Sequence, residues 1–222
     1  ERSVAPSTAS VEGLAVLDRY GLRELAPPAV VTALQAVASE EAGWDYPNDL
    51  LEIIGDNQHA IDLAVAASTA AGRSTEVLWT AKEGEASELG REWVRALLTV
   101  PDDIEVVWGG GEATVIVRGD GKGGRNTEFA LAAALELDRL ENDEWIVASL
   151  ATDGQDATTG SAGAIGDRET IVRGRAAGLD PEAALANNDS ASFFERAGGL
   201  VITGPSGTNV NDLYLGLRKR PC

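Results

Sequence analysis

Several residue types are scarce in this chain of 222 residues, and each scarcity excludes a class of protein. The chain has one cysteine, Cys222, so no disulfide can form within it. With one histidine, His59, a zinc site is not expected, and a hydrolytic triad would depend on that residue as its base. Methionine is absent altogether, which favours a piece of a longer product.

Long hydrophobic runs are also missing. No stretch of about 18 apolar residues occurs, and the N-terminus lacks the order of charged, apolar and small residues that marks a signal peptide. Together with the single cysteine, these observations predict a cytoplasmic protein that does not enter a membrane.

Positive charge is in short supply. The chain has 18 lysines and arginines against 36 aspartates and glutamates, a formal net charge of −18. Its only lysines are Lys82, Lys122 and Lys219. This balance argues against a nucleic-acid surface or an anionic membrane as partner, because both require basic patches. An acidic surface with arginine in place of lysine favours a salt-rich cytoplasm, where screening removes the self-repulsion; an ordinary acidic protein is the alternative.

What the chain does contain is a glycine-rich stretch from Ala113 to Glu128. A β-branched run passes through Gly119–Gly124 into a strong helix former, which predicts a strand, a loop and a helix. Free amides at the start of that helix favour an anion there, with Asn126 as the predicted N-cap and Arg125 as a bidentate clamp. The same glycines match the Gly-x-Gly-x-x-Gly dinucleotide pattern, and a purely structural turn is equally consistent with them.

The remaining pattern alternates helices and strands, which predicts the α/β class. The first part should hold a βαβ unit made of a strand at 50–54, a helix at 60–71 and a strand at 75–80, after two helices at 11–20 and 28–38. A helix at 84–98 and the linker 101–103 place a domain boundary near residue 100. Beyond it we expect a hairpin of 104–108 and 113–117 that turns at Gly109–Glu112. Further strands are predicted at 144–150, 200–203 and 212–217, and further helices at 168–177, 181–186 and 190–197.

Three polar loops follow predicted strands, and ligands gather at the carboxyl ends of strands in α/β sheets: Gly119–Glu128, Thr152–Asp156 and Gly204–Asp212. If the loops converge, Arg125 supplies positive charge, and Asp153 and Asp156 can hold Mg²⁺ or its waters. Thr208, Asn209 and Asp212 can orient a polar substrate. This set of groups suits phosphoryl transfer, although Asp153-Gly154 is also a common turn pair and Glu128 an ordinary first-turn acid.

Five sequence blocks occur in the order found in one family: Gly110–Val115, Gly123–Glu128, Thr152–Asp156, Asn188–Ser190 and Thr203–Asp212. Together they resemble the C-terminal MOFRL domain of type II glycerate 2-kinases. Residues 6–98, which include Leu17–Leu22 and Ile54–Asn57, resemble the stretch just upstream in the same family. Two positions depart from the family pattern: Ala157–Gly160 lacks an acidic residue, and Thr127 replaces a glutamine.

The resemblance implies a kinase that transfers the γ-phosphoryl group of ATP to the 2-hydroxyl of D-glycerate with Mg²⁺. Residues 1–100 would be the end of a Rossmann-like domain and 101–222 a mixed-sheet MOFRL domain. We predict Arg125 and Asp153 as catalytic residues and Asp153 with Asp156 as magnesium ligands. Substrate or phosphate binding is predicted for Gly123, Gly124, Asn126, Glu128, Thr208, Asn209 and Asp212.

Family members are about twice as long, and their active site lies between two halves. This chain alone is therefore expected to be inactive, with the missing half or a homo-oligomer as its partner. Two alternatives are an NAD(P)-dependent hydroxypyruvate reductase that uses Gly119–Gly124, and a noncatalytic domain that binds an organic acid.

The acidic composition generates the first prediction. The melting temperature of the protein should rise by more than about 5 °C between dilute buffer and molar KCl, because salt screens the repulsion among its acids. Circular dichroism at a series of KCl concentrations measures this. A flat curve would contradict the salt-adapted interpretation and leave an ordinary acidic protein.

Overall fold

The computed structural model describes residues 9–39 and 52–220. The chain divides into two compact units, with the division between residues 52 and 53. The first unit contains helix α1 (Ala9–Arg19) and helix α2 (Pro28–Ser39), as predicted. Leu34 of α2 packs over Gly13 of α1, and Gly21, with a positive φ of 63°, follows the end of α1. The polar and aromatic sequence of Glu40–Asn48 is typical of a loop, and this segment lies outside the described residues.

The second unit is built on a six-stranded mixed sheet in the order β1-β2-β6-β3-β4-β5. Strands β1 and β2 are parallel, whereas the other neighbours are antiparallel. This arrangement confirms the α/β class. Its strands are β1 (Thr75–Glu85), β2 (Val106–Thr114), β3 (Trp145–Ala151), β4 (Gly163–Gly166), β5 (Leu200–Val201) and β6 (Asp212–Arg218). Its helices are α3 (Asn57–Ala70), α4 (Ala86–Leu97), α5 (Arg125–Arg139), α6 (Arg168–Ala176), α7 (Pro181–Ala186) and α8 (Ser190–Ala197).

Strand β6 occupies the middle of the sheet although it comes last in the described chain. It runs antiparallel to β2 on one side and to β3 on the other. Its first residue, Asp212, pairs with Gly111 of β2 and with Ala151 of β3. The start of β6 therefore lies between the carboxyl ends of two strands, which is where α/β sheets gather ligands.

Helix α5 forms the centre of the core. On one side it packs with α4 and the sheet, where Phe129 stacks on Tyr214 of β6 with ring centroids 4.5 Å apart. On its other side it meets α6 and α8 through Ile171, Phe193 and Phe194. Because both sides of α5 are packed, its first turn is held rigidly against the sheet.

The glycine run Gly109–Gly111 is not the turn of a hairpin, and that prediction is wrong. Strand β2 passes straight through it. A side chain at Gly109 would meet the Trp93 ring, and one at Gly111 would collide with the backbone of Lys82 on β1. The glycines let neighbouring elements approach the strand closely, a role that local sequence does not distinguish from a turn.

The predicted βαβ unit is displaced along the chain. Residues 52–54 form no strand, and residues 50 and 51 lie outside the described residues. The helix predicted at 60–71 is present as α3, but the parallel unit consists of β1, α4 and β2. This unit spans residue 100, so the predicted boundary falls inside one compact unit; as a division between family modules it stays a prediction. Within the ranges that the structure covers, no helix is long and apolar enough to cross a membrane.

The packing of β2 makes a stability prediction. Replacing Gly111 by alanine should destabilise the protein by about 1 to 3 kcal/mol or more, because the added methyl group meets backbone that cannot move aside. Gly55→Ala is the matched control, since a methyl group there meets open space. Thermal unfolding of both variants measures the difference, and equal melting temperatures would contradict the close-packing explanation.

Candidate active site

The three predicted loops converge where β6 begins. Asp156 of the second loop accepts hydrogen bonds from the first turn of α5, and Asp212 at the end of the third loop bonds Arg125 of that turn. Thr152 links the second and third loops, because its hydroxyl donates to the Asn211 carbonyl at 2.7 Å and accepts from the Val210 amide at 2.8 Å. The three loops therefore come together, which is the condition under which the sequence assigns a joint role to their polar residues.

Asp212 and Arg125 form a bidentate ion pair at the centre of this convergence. Arg125 Nε lies 2.7 Å from Asp212 Oδ2, and Nη2 lies 2.8 Å from Oδ1. The Asp212 side chain is fully buried, whereas 25% of the Arg125 side chain is exposed. Burial opposes the charge on Arg125, but hydrogen bonding to Asp212 and its charge outweigh this and raise the pKa of Arg125. The pair uses one edge of the guanidinium and leaves the Nη1 edge for another acceptor.

Asn126 serves the ion pair from inside the core. Its Nδ2 donates to Asp212 Oδ1 at 2.9 Å, and its Oδ1 accepts from the Ser149 hydroxyl at 2.6 Å. The prediction that Asn126 caps α5 is wrong, because the N-cap residue is Gly124. Since Asn126 is fully buried, it orients Asp212 in this conformation rather than meeting a ligand.

The predicted anion-binding site at the start of α5 is occupied by a carboxylate of the protein itself. Asp156 Oδ1 accepts from the Asn126 amide at 2.9 Å, and Oδ2 accepts from the Thr127 amide at 2.8 Å. Burial raises the pKa of Asp156, while the two amides and the charge of Arg125 oppose that shift. The helix terminus does attract an anion, but the anion is Asp156.

The glycine loop before α5 is packed against protein as well. Asn188 Oδ1 accepts the Arg118 and Gly119 amides, and a side chain at Gly119 or Gly121 would collide with Asn187. At Gly123 a side chain would meet Ser190, and at Gly124 it would meet the Asp156 carboxylate. Gly123 and Gly124, predicted to cradle a phosphate, thus make room for neighbouring residues.

Glu128 is buried. Its Oε2 accepts from Asn188 Nδ2 at 3.0 Å. Burial raises the pKa of Glu128 to about 7; the facing carboxyl group of Glu85 adds to the rise, and Asn188 and Arg118 oppose it. Glu85 Oε1 is itself buried without a partner among the described residues, so a proton on Glu128 has an acceptor there.

The remaining predicted residues, Asp153, Thr208 and Asn209, are exposed or half-buried and are called the rim below. Thr208 and Asn209 are exposed, and Asn209 Oδ1 accepts the Asn211 amide at 3.1 Å. Asp153 is half-buried, its Oδ1 accepts the Gln155 amide at 2.8 Å, and its charge acts on Arg125.

The predicted magnesium pair fits only in part. Both oxygens of Asp156 accept amides in a fully buried position, so this residue does not fit as a metal ligand. Asp153 is half-buried, and the Gln155 amide bonds to its Oδ1, so it fits as a single carboxylate ligand, which Mg²⁺ accepts when substrate phosphates supply the others. Within residues 9–39 and 52–220, no cluster of at least three acidic, histidine or cysteine side chains forms a metal cage.

Two asparagines that organise this site, the buried Asn188 and the half-buried Asn57, had no role in the sequence-based prediction. Asn188 fixes the glycine loop and Glu128, and Asn57 of α3 donates to the carbonyls of Val210 and Asp212. Both lie in blocks that resemble the kinase family, Asn188–Ser190 and Ile54–Asn57, and that resemblance was the only signal available for them.

Comparison with known proteins matches residues 105–212 to the model of the MOFRL family. This segment belongs to the MOFRL family. It contains the ion pair, Asp156 and the glycine loop, whereas Asn57 lies outside it.

Relatives cover nearly the whole chain. A D-glycerate 2-kinase of Thermotoga maritima is 36% identical over 95% of this chain and 50% of its own length. A protein of Agrobacterium vitis that carries the provisional name hydroxypyruvate reductase is 35% identical over 95% of this chain and 49% of its own. The crystal structure of a Thermotoga maritima glycerate kinase matches 95% of this chain and 50% of its own with a TM-score of 0.79. The chain thus spans about half the length of these relatives.

The carboxyl pair of Glu128 and Glu85 generates a pH prediction. Because the folded-state pKa of Glu128 is raised to about 7, its contribution to stability is fully present below the ordinary value near 4.5 and is lost as pH rises through 7. Glu128→Gln keeps a neutral hydrogen-bond donor toward Glu85 at every pH. The melting temperature of this variant relative to that of the wild type should therefore increase between pH 5 and pH 8. Glu144→Gln, at an exposed acid, is the control; parallel curves for all three proteins would contradict the pair.

Proposed function

We propose that the protein containing this chain transfers the γ-phosphoryl group of ATP to the 2-hydroxyl of D-glycerate. One observation carries the proposal: Asp212 fixes Arg125 on one edge of its guanidinium, while the Arg125 side chain stays 25% exposed and the charge of Asp153 acts on it. The kinase names of the relatives agree with it and imply ATP as co-substrate.

Phosphoryl transfer needs positioning and positive charge more than covalent chemistry by the protein. Arg125 supplies a planar cation whose orientation is set before substrate arrives, so little reorganisation is needed as charge develops on the transferred group. Thr208 and Asn209 offer a hydroxyl and an amide for the carboxylate or hydroxyls of glycerate. Magnesium, which the family implies, would be held by Asp153 and would neutralise phosphate charge when bound.

Hydroxypyruvate reduction is the second candidate, favoured only by the provisional names of some relatives. A dinucleotide would need its pyrophosphate at the glycine loop and at the amides that begin α5. Asp156 accepts the hydrogen bonds of those amides, and Asn187–Ser190 pack against the glycine loop. A reductase would therefore have no free phosphate-binding site there. An assay with ATP and D-glycerate and a separate assay with NADH and hydroxypyruvate distinguish the kinase from the reductase. If the protein binds glycerate but turns over neither pair of substrates, the noncatalytic domain that binds an organic acid is the remaining alternative.

Because the relatives are about twice as long as this chain, the proposal concerns the complete gene product. The rim around Arg125 forms one wall of a site, and the other wall would come from a further part of that product or from a second copy. Without it, water would reach the transferred group and the gain from positioning would be largely lost.

Arg125 provides the direct test. Arg125→Ala in the complete gene product should lower kcat/KM for D-glycerate by about 100-fold or more, because a fixed cation at the transferred group is lost. Arg125→Lys should also lower it, since an ammonium cannot bind Asp212 with two parallel hydrogen bonds and still present a second edge. The measurement is ADP release with saturating ATP and Mg²⁺.

Arg139→Ala is the control for this test, because Arg139 is exposed and lies at the far end of α5. Circular dichroism verifies that each variant is folded. A value for Arg125→Ala within about threefold of wild type would overturn the assignment of Arg125, since so small a change is worth less than 1 kcal/mol.

A further inference from the structure

Asn57, the first residue of helix α3, reaches across to the segment that leads into Asp212. Its Nδ2 donates to the Val210 carbonyl at 2.8 Å and to the Asp212 carbonyl at 3.0 Å. One amide group thus grips the chain on both sides of Asn211. The helix start that carries it is fixed in turn by Asp56, whose side chain caps the His59 amide at 2.8 Å.

The gripped segment has a conformation that needs support. Asn211 has a φ of 66°, in the left-handed region that residues other than glycine rarely adopt, although asparagine does so more often than most. Relaxation of Asn211 would rotate the residue that follows it, which is Asp212. Thr152 holds the same segment from the opposite side through the Asn211 carbonyl and the Val210 amide. Asn57 and Thr152 therefore clamp Asn211 between them.

Strand β2 is shaped to admit this amide. A side chain at Gly110 would collide with Asn57 Oδ1 and Ile61, so the glycine leaves the space in which Asn57 lies. Asn57 Oδ1 is buried and has no hydrogen-bond partner among the described residues. An unpaired buried carbonyl oxygen carries a free-energy cost, and the two bonds made by Nδ2 are what the protein gains at this place.

We propose that Asn57 is a positioning residue, whose amide fixes the backbone at Val210 and Asp212 so that the Asp212 carboxylate presents Arg125 to the substrate. Asn57 touches neither substrate nor Arg125 and acts through Asp212. The effect of Asn57 on phosphoryl transfer rests on the proposed function. Its effect on the position of Arg125 does not. The residue lies outside the segment matched by the MOFRL family, so this role connects the preceding part of the chain to the site.

The first experiment observes Arg125 without any activity. The Arg125 Nε–H group is bonded to Asp212, so in the ¹⁵N spectrum of the complete gene product it should exchange slowly with water; Arg125→Lys assigns the signal. Asn57→Ala should accelerate this exchange by about tenfold or more, and Asn57→Asp, which keeps the shape but turns an oxygen toward the two carbonyls, should do the same.

Ile61→Val is the matched control, because Ile61 lies one turn further along α3, packs on the same glycine and makes no bond to residues 210–212. It should lower the melting temperature yet leave the Arg125 signal unchanged. An unchanged Arg125 signal in Asn57→Ala, or an equal change in Ile61→Val, would overturn the proposal, since Asn57 would then only stabilise α3.

The second experiment is a double-mutant cycle on kcat/KM for D-glycerate, read at a temperature where every variant is folded. Asn57→Ala alone should cost about tenfold to 100-fold, the range for misplacement of a catalytic group by a distant substitution. In the Arg125→Ala background it should cost less than about threefold, because the group that it positions is gone. Equal costs in both backgrounds would show that Asn57 acts independently of Arg125.

The two experiments separate the failure of each idea. A changed Arg125 signal in a gene product that phosphorylates no glycerate would retain the positioning role and refute the kinase. An unchanged signal in an active kinase would refute the positioning role alone.

Discussion

A single buried carboxylate, that of Asp212, connects the parts of this structure that matter for chemistry. This carboxylate accepts hydrogen bonds from Arg125 and Asn126 in the first turn of α5. The backbone carbonyl of Asp212 accepts a further hydrogen bond from the side-chain amide of Asn57 in α3. Asp212 also begins the central strand of the sheet, so its position is fixed by pairing with β2 and β3. Removing Arg125 would leave the buried Asp212 carboxylate without its counter-charge, which ties the site to the stability of the fold.

The site uses two anion-binding devices of proteins for different purposes. Free amides at a helix start bind Asp156 and thereby hold the second loop against α5. The guanidinium of Arg125, in contrast, is held on one edge only and keeps contact with solvent. Because Asp156 satisfies the amides at the start of α5, a phosphate would have to displace this carboxylate to bind there, whereas Arg125 is part of the site and stays partly exposed. Lysine and arginine are scarce in this acidic chain, so the presence of an arginine at this site supports a role for it there.

Sequence predicted the parts of the fold that depend on local patterns. Helices α1 to α5 follow from helix-forming residues, caps and apolar periodicity. The three polar loops come together because the strands before them end at the same edge of the sheet, although the first loop is shorter than predicted, since Arg125–Glu128 belong to α5. Sequence failed where a residue acts on distant chain: Gly109–Gly111 were read as a turn, although they serve contacts with Trp93, Asn57 and Lys82. Similarly, Gly119–Gly124 suggest a ligand cradle, but the groups that fill the space are Asn187–Ser190, more than sixty residues later. Only the relation to a family pointed to Asn57 and Asn188.

The account depends on where a substrate anion binds, and a crystal structure of the complete gene product with D-glycerate, Mg²⁺ and a non-hydrolysable ATP analogue tests this most directly. It should place a carboxylate or phosphate oxygen within about 3 Å of the Arg125 guanidinium, on the edge that Asp212 leaves free, with Asp156 still bound to the amides of Asn126 and Thr127. A phosphate on those amides with Asp156 displaced, or a substrate bound away from Arg125, would contradict the account.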